Sequence, residues 1–190
     1  MTKRIPIAAA FFAVLAGAGV VHATSVSWTA GGSTGTIDEG DLAKIVLNND
    51  GSAAIRSTIA STSAKIRFNL VDLHFPRFPG ASAAGISIAY RDNGAGARVI
   101  ATFKRVRVGQ TESAGTLGKL DLLATIDSDL RPASNGWQEA NVLLRQVDAT
   151  CCGEGLVFPD FAYIFEVQLI KHDATGNPAV LGVQVGQGFE

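Results

Sequence analysis

Phe161-Ala162-Tyr163-Ile164-Phe165-Glu166-Val167-Gln168-Leu169-Ile170 is the stretch that decides the fold. Phe161, Tyr163, Phe165, Val167 and Leu169 occupy one side of a period-two pattern; Ala162, Ile164, Glu166, Gln168 and Ile170 occupy the other. Side chains alternate across an extended strand, so this spacing puts one large apolar face into a core. The second face mixes Ile with Glu and Gln, as expected of a central or half-covered strand. His172-Asp173-Ala174-Thr175-Gly176-Asn177-Pro178 then supplies turn chemistry, and alternation resumes from Ala179 to Val185. The pattern reads as a hairpin of about 160–172 with 179–186.

The same periodicity recurs toward the N-terminus. Ile66, Phe68 and Leu70 alternate with Lys65, Arg67 and Asn69. Ile86 to Arg91 leads through Asp92-Asn93-Gly94-Ala95-Gly96 into a long strand from Arg98 to Val108, which reads as a second hairpin. A third pairs Leu42–Leu47 with Ala53–Ile59 around Asn49-Asp50-Gly51. Leu117–Ile126 and Ala140–Val147 are further strand candidates, although Trp137-Gln138-Glu139-Ala140 could instead open a short helix. Eight to ten strands with turn signals roughly every ten residues predict an all-β chain. Its expected form is a single antiparallel β-sandwich, with jelly-roll and immunoglobulin-like topologies both open.

The first 23 residues stand apart. Lys3 and Arg4 precede an apolar run from Ile5 to Val21, which ends in Val21-His22-Ala23 before Thr24. This is the pattern of a secretory signal peptide, and the run sits at the bottom of the ~17–25 residues that span a bilayer. The expected organisation is therefore a signal peptide at 1–23 and a β-sandwich domain at 24–190. The domain is expected to be secreted or periplasmic, with no stable membrane span after cleavage. Loss of Lys3 and Arg4 takes the formal charge from −1 to −3 and removes much of the apolar run behind the mean hydropathy of +0.23. A mildly acidic domain lacks the electrostatic footprint of a nucleic-acid binder. With 17% charged and 47% hydrophobic residues, the chain is no disordered segment either.

Catalytic motifs fail their structural tests. Gly31-Gly32-Ser33-Thr34-Gly35 matches G-x-S-x-G, but that chemistry needs a strand before the serine and a helix after it. Neither is legible around Ser33, and a flexible turn is the expected reading. Asp127-Ser128-Asp129 begins like a calcium loop, yet Arg131 stands at its fifth position and no Glu closes the register. Asp38-Glu39-Gly40-Asp41 is a second acidic cluster. The sequence assigns no catalytic residue, metal site or cofactor, and leaves calcium in the sandwich loops open.

The only cysteines, Cys151 and Cys152, are adjacent. Their Cα atoms are ~3.8 Å apart across a trans peptide, below the usual disulfide minimum of ~4.4 Å. A strained vicinal disulfide, intermolecular pairing and a free dithiol all remain open.

Two places suit recognition. His74-Phe75-Pro76-Arg77-Phe78-Pro79-Gly80 combines aromatics and a cation with prolines that stiffen the backbone, making His74, Phe75, Arg77 and Phe78 candidate ligand contacts. The alternative is that Phe75 and Phe78 plug one end of the sandwich. Trp137, after Asn135-Gly136, is the aromatic residue in the most loop-like setting. The function expected is a non-catalytic binding or surface-interaction module whose partner is an extracellular glycan or protein. A carbohydrate-binding module and a hydrolase with an unrecognised site are the alternatives.

Overall fold

The structure is a computed structural model and describes residues 27–70, 84–108, 118, 120–144, 156 and 161–187. Among the described residues there are eleven strands: β1 Ser27–Gly31, β2 Thr36–Ile37, β3 Ile45–Leu47, β4 Ala53–Ile55, β5 Thr62–Leu70, β6 Ala84–Asp92, β7 Ala97–Arg107, β8 Leu120–Asp127, β9 Ser134–Leu143, β10 Phe161–Lys171 and β11 Ala179–Gln187. They form two antiparallel sheets, so the chain is an all-β sandwich as expected. One sheet runs β3-β4-β11-β6-β9 with β1 also on β11; the other runs β2-β5-β10-β7-β8. From β4 onward the strands wrap as β4-β11-β6-β9 over β5-β10-β7-β8, with early strands paired to late ones in both sheets. This is the jelly-roll order.

β10 is central, as its mixed outer face implied. It pairs with β5 on one side and β7 on the other, and Phe165 lies in register with both Phe68 and Phe103. Phe103 and Phe165 are fully buried with ring centroids 6.1 Å apart, and Phe103 stacks on Tyr163 at 5.8 Å. Each buried ring contributes roughly 1.5–3 kcal/mol through area removed from water. From the opposing sheet, Ile86 and Ile88 on β6 and Val183 and Val185 on β11 point into the same core. Trp28 packs against it from β1.

Two expected hairpins are corrected. β6 and β7 lie in different sheets, and so do β10 and β11. Their connections, 93–96 and 172–178, are arches that carry the chain across the sandwich. Turn chemistry reverses the chain in either case; the sheet that the next strand joins is set by which neighbours bury its apolar face. β3 and β4 do form the expected hairpin, in which Gly51 takes φ +86°. β9 also corrects the reading near residue 140. Trp137 to Ala140 are strand, because Ala140 and Val142 face the core while Trp137, Glu139 and Asn141 face outward. β1 was not legible at all, since its apolar content is one inward Trp and one inward Ala.

The two arches are laced together. Asn93 Nδ2 donates to the Thr175 carbonyl at 2.8 Å, and Asn177 N donates to Asn93 Oδ1 at 2.7 Å. His172 N donates to the Gly96 carbonyl at 2.8 Å. This end of the sandwich thus becomes one hydrogen-bonded unit. Leu70, Ala84, Arg107, Leu120, Leu143 and Phe161 are strand ends at the opposite end. There Arg105, buried on the inner face of β7, bonds through Nε to Asp121 Oδ2 at 3.0 Å and lies 4.2 Å over the Phe161 ring. The guanidinium is thus paired and covered together, which a buried charge requires.

Candidate functional site

The outer faces of the two sheets differ in chemistry. On the five-stranded sheet the charges neutralise one another. Glu166, on β10, accepts from Lys104 Nζ at 2.9 Å and Arg67 Nε at 3.0 Å, and lies 3.4 Å from Lys65 Nζ. Burial alone would raise its pKa, but the hydrogen bonds from Lys104 and Arg67 and the charges of Lys104 and Lys65 prevail and bring it down to about 2. Arg67 reaches on to Asp38. The face is a closed ion-pair network across three strands.

The acidic pairs considered for calcium are likewise taken up by cations. Arg98 binds Asp127 through Nε and NH2 and also lies 3.1 Å from Asp129 Oδ2. Its hydrogen bond, helped by the Asp129 backbone N–H, holds the Asp127 carboxyl below the usual range against the cost of burial. Asp41 pairs with Lys44 and accepts from the Lys65 backbone N–H at 2.9 Å. Among the described residues no group of three or more His, Cys, Asp or Glu side chains could hold a metal ion.

The serine motif is a short 3-10 turn at Gly32–Thr34, and the backbone returns to an extended conformation at Gly35 instead of entering a helix. Ser33 N donates to the Gly51 carbonyl at 2.8 Å, and Gly32 is packed so tightly on β11 that a Cβ there would lie 2.1 Å from the Val180 carbonyl oxygen.

Among the described residues, nothing covers the outer face of the six-stranded sheet. Two rows cross it: Gly31, Gly182, Ala89 and Glu139 in one, and Thr29, Gln184, Ser87 and Asn141 in the next. Small residues on the central strands β11 and β6 sit low, with Thr29 on one flank and Glu139 on the other. They form a shallow trough of about 310 Å³. With strands ~4.8 Å apart, it spans about 14 Å from β1 to β9. Glu139 is fixed by a hydrogen bond from Ser87 Oγ at 2.9 Å.

Trp137 belongs to this face. It lies two residues before Glu139 on β9, with its side chain on the same side, and it is 40% exposed. Arg91, from the outer face of β6, places Cζ 5.2 Å from the indole centroid. Sequence reasoning identified Trp137 but missed Arg91, Glu139, Ser87, Gln184 and Thr29. None belongs to a local motif, and they meet only through the register of four strands drawn from both ends of the chain. The other sequence candidates, His74, Phe75, Arg77, Phe78, Cys151 and Cys152, lie outside the described residues.

No family model matches the chain, and no curated protein is similar to it in sequence. Solved structures share its outline. A family two carbohydrate esterase from Cellvibrio japonicus is 8% identical at a TM-score of 0.42; the alignment covers 86% of this chain and 34% of that one, so the chain spans about a third of the esterase's length. The xylan-binding module CBM15 is 12% identical at a TM-score of 0.49, with 87% and 99% covered. The family 30 carbohydrate-binding module of a cellulosomal cellulase from Clostridium thermocellum is 12% identical at a TM-score of 0.36, with 84% and 91% covered. No helix among the described residues is long and apolar enough to cross a membrane.

Proposed function

We propose that the chain is an exported glycan-binding module acting through the outer face of its six-stranded sheet. Residues 1–23 serve as its signal peptide and the sandwich at 24–190 works in the extracellular or periplasmic space. The observation that carries the reading is the exposed Trp137 indole beside a trough with polar flanks. A pyranose presents C–H groups from its flat side and hydroxyls around its rim. An indole offers the first a π-face, and Glu139, Gln184, Ser87 and Thr29 offer the second acceptors and donors. A pre-formed floor of sheet backbone adds little ordering cost on binding, which favours a weak polar ligand.

Affinity electrophoresis in gels containing soluble polysaccharides tests this. The wild-type protein is retarded by at least one glycan, and Trp137→Ala lowers that affinity by roughly 10–100-fold, the size expected for removing a central aromatic contact. Equal mobility in every glycan overturns the proposal.

A further inference from the structure

The cations around Trp137 and elsewhere in the sandwich are held by different kinds of partner. Lys44, Lys65, Arg67, Arg98, Lys104 and Arg105 each meet a carboxylate. Arg91 does not. Its Nε donates to the Asn177 carbonyl at 3.3 Å and its NH2 to Asn177 Oδ1 at 2.9 Å, both neutral amide oxygens. Asn177 is itself held by Asn93 through the lacing of the arches. The guanidinium is therefore fixed in place over the Trp137 ring, with no carboxylate partner among the described residues. Asp50 feels that charge without forming an ion pair with it; its carboxylate accepts from Ser52 N at 3.0 Å and Ser52 Oγ at 2.7 Å. Glu139 lies farther along β9 and is bound to Ser87.

Arg91 is also the only Lys or Arg in β1, β6, β9 and β11, the four strands that build the face. An arginine fixed by neutral acceptors presents a fork suited to a carboxylate, at little further entropic cost. Glu139 would repel an anion inside the trough, so the site is polarised: positive beside the indole, negative in the trough.

Resting on the glycan reading above, we propose that the ligand is an acidic glycan. A uronic acid residue stacks on Trp137 with its carboxylate on Arg91, and neutral hydroxyls of the adjoining sugars meet Glu139 and Gln184. Arg91 is then the residue that determines specificity.

The test compares each of three polyuronates (polygalacturonate, polymannuronate and polyglucuronate) with the same polymer after carboxyl reduction. This keeps the backbone and removes the charge. The wild-type protein should bind at least one acidic polymer tenfold or more tightly than its reduced form, with affinity falling as salt rises. Arg91→Met should abolish that preference and Arg91→Lys should retain part of it. Reduced polymers bound as well as or better than acidic ones overturn the charge inference while leaving glycan binding intact. So does an acidic preference that survives Arg91→Met. Binding to no polymer, acidic or neutral, overturns this inference and the glycan reading together. The polymer comparison needs only the wild-type chain, so it stands even where a variant folds poorly.

Discussion

Gly176 packs directly on Gly96: a Cβ at residue 176 would lie 1.8 Å from the Gly96 carbonyl oxygen, and one at residue 96 would lie 2.8 Å from Gly176 N. The two arches that cross the sandwich approach each other through bare backbone. Of the two glycines in the 93–96 arch only Gly94 takes a positive φ, at +111°. Gly96 is required for its lack of a side chain.

Gly176→Ala should therefore be costly, because backbone and not a yielding side chain occupies the space. Forced shifts of this kind cost about 1–3 kcal/mol, or more where the backbone cannot move. Thermal unfolding should show a midpoint lowered by several degrees, while Gly40→Ala, with no atom within 4 Å of the new Cβ, should leave it nearly unchanged. Equal midpoints for the two variants would show that the arches do not pack in this way.

Glu166 makes the fold acid-sensitive. Its folded pKa of about 2 lies below the ordinary value of 4.5, so its contribution is fully present above pH 4.5 and is lost as pH falls toward 2. Allowing for solvent around the half-exposed Arg67 and Lys65, the loss should be about 2 kcal/mol. Glu166→Gln should lower stability at pH 7, because Lys104, Lys65 and Arg67 then lose the carboxylate they share, and Asp38 reaches only Arg67. It should also flatten the profile between pH 4.5 and 2. Denaturant unfolding across that window checks both outcomes; a variant with the wild-type slope would contradict the network.

Much of the sandwich was legible because β5, β7 and β10 each bury one face against a single opposing layer. Ile66, Phe68 and Leu70 declare that burial locally. Other features required partners distant in sequence. Whether 92–97 closes a hairpin or an arch depends on β9, β10 and β11, which compete to pair with β6 and β7. β1 carries almost no apolar signal and exists because the 182–186 portion of β11 has an edge for it to pair with. The trough needs Gly182 beside Ala89 and Gln184 beside Ser87, placed there by a register shift between Val180 and Gly182. Trp137 was visible as an aromatic, but its strand setting and its Arg91 neighbour were not.

Core and site should separate cleanly under truncation. Leu169 is fully buried between Ala64 and Val99, so Leu169→Ala should cost about 2–5 kcal/mol. Trp137 faces outward, and its loss should cost less than about 1 kcal/mol. Chemical denaturation of both variants checks the order. A large destabilisation by Trp137→Ala would make the indole a structural residue.

The central claim is that Trp137 is the surface on which a ligand ring lies. Its most direct test is fluorescence titration of Trp28→Phe, which leaves Trp137 as the sole indole. Saturable quenching or a blue shift on adding the glycan retained in electrophoresis, matching the binding isotherm, is the predicted result. Binding to that glycan with an unchanged Trp137 spectrum would contradict it and place the site elsewhere on the molecule.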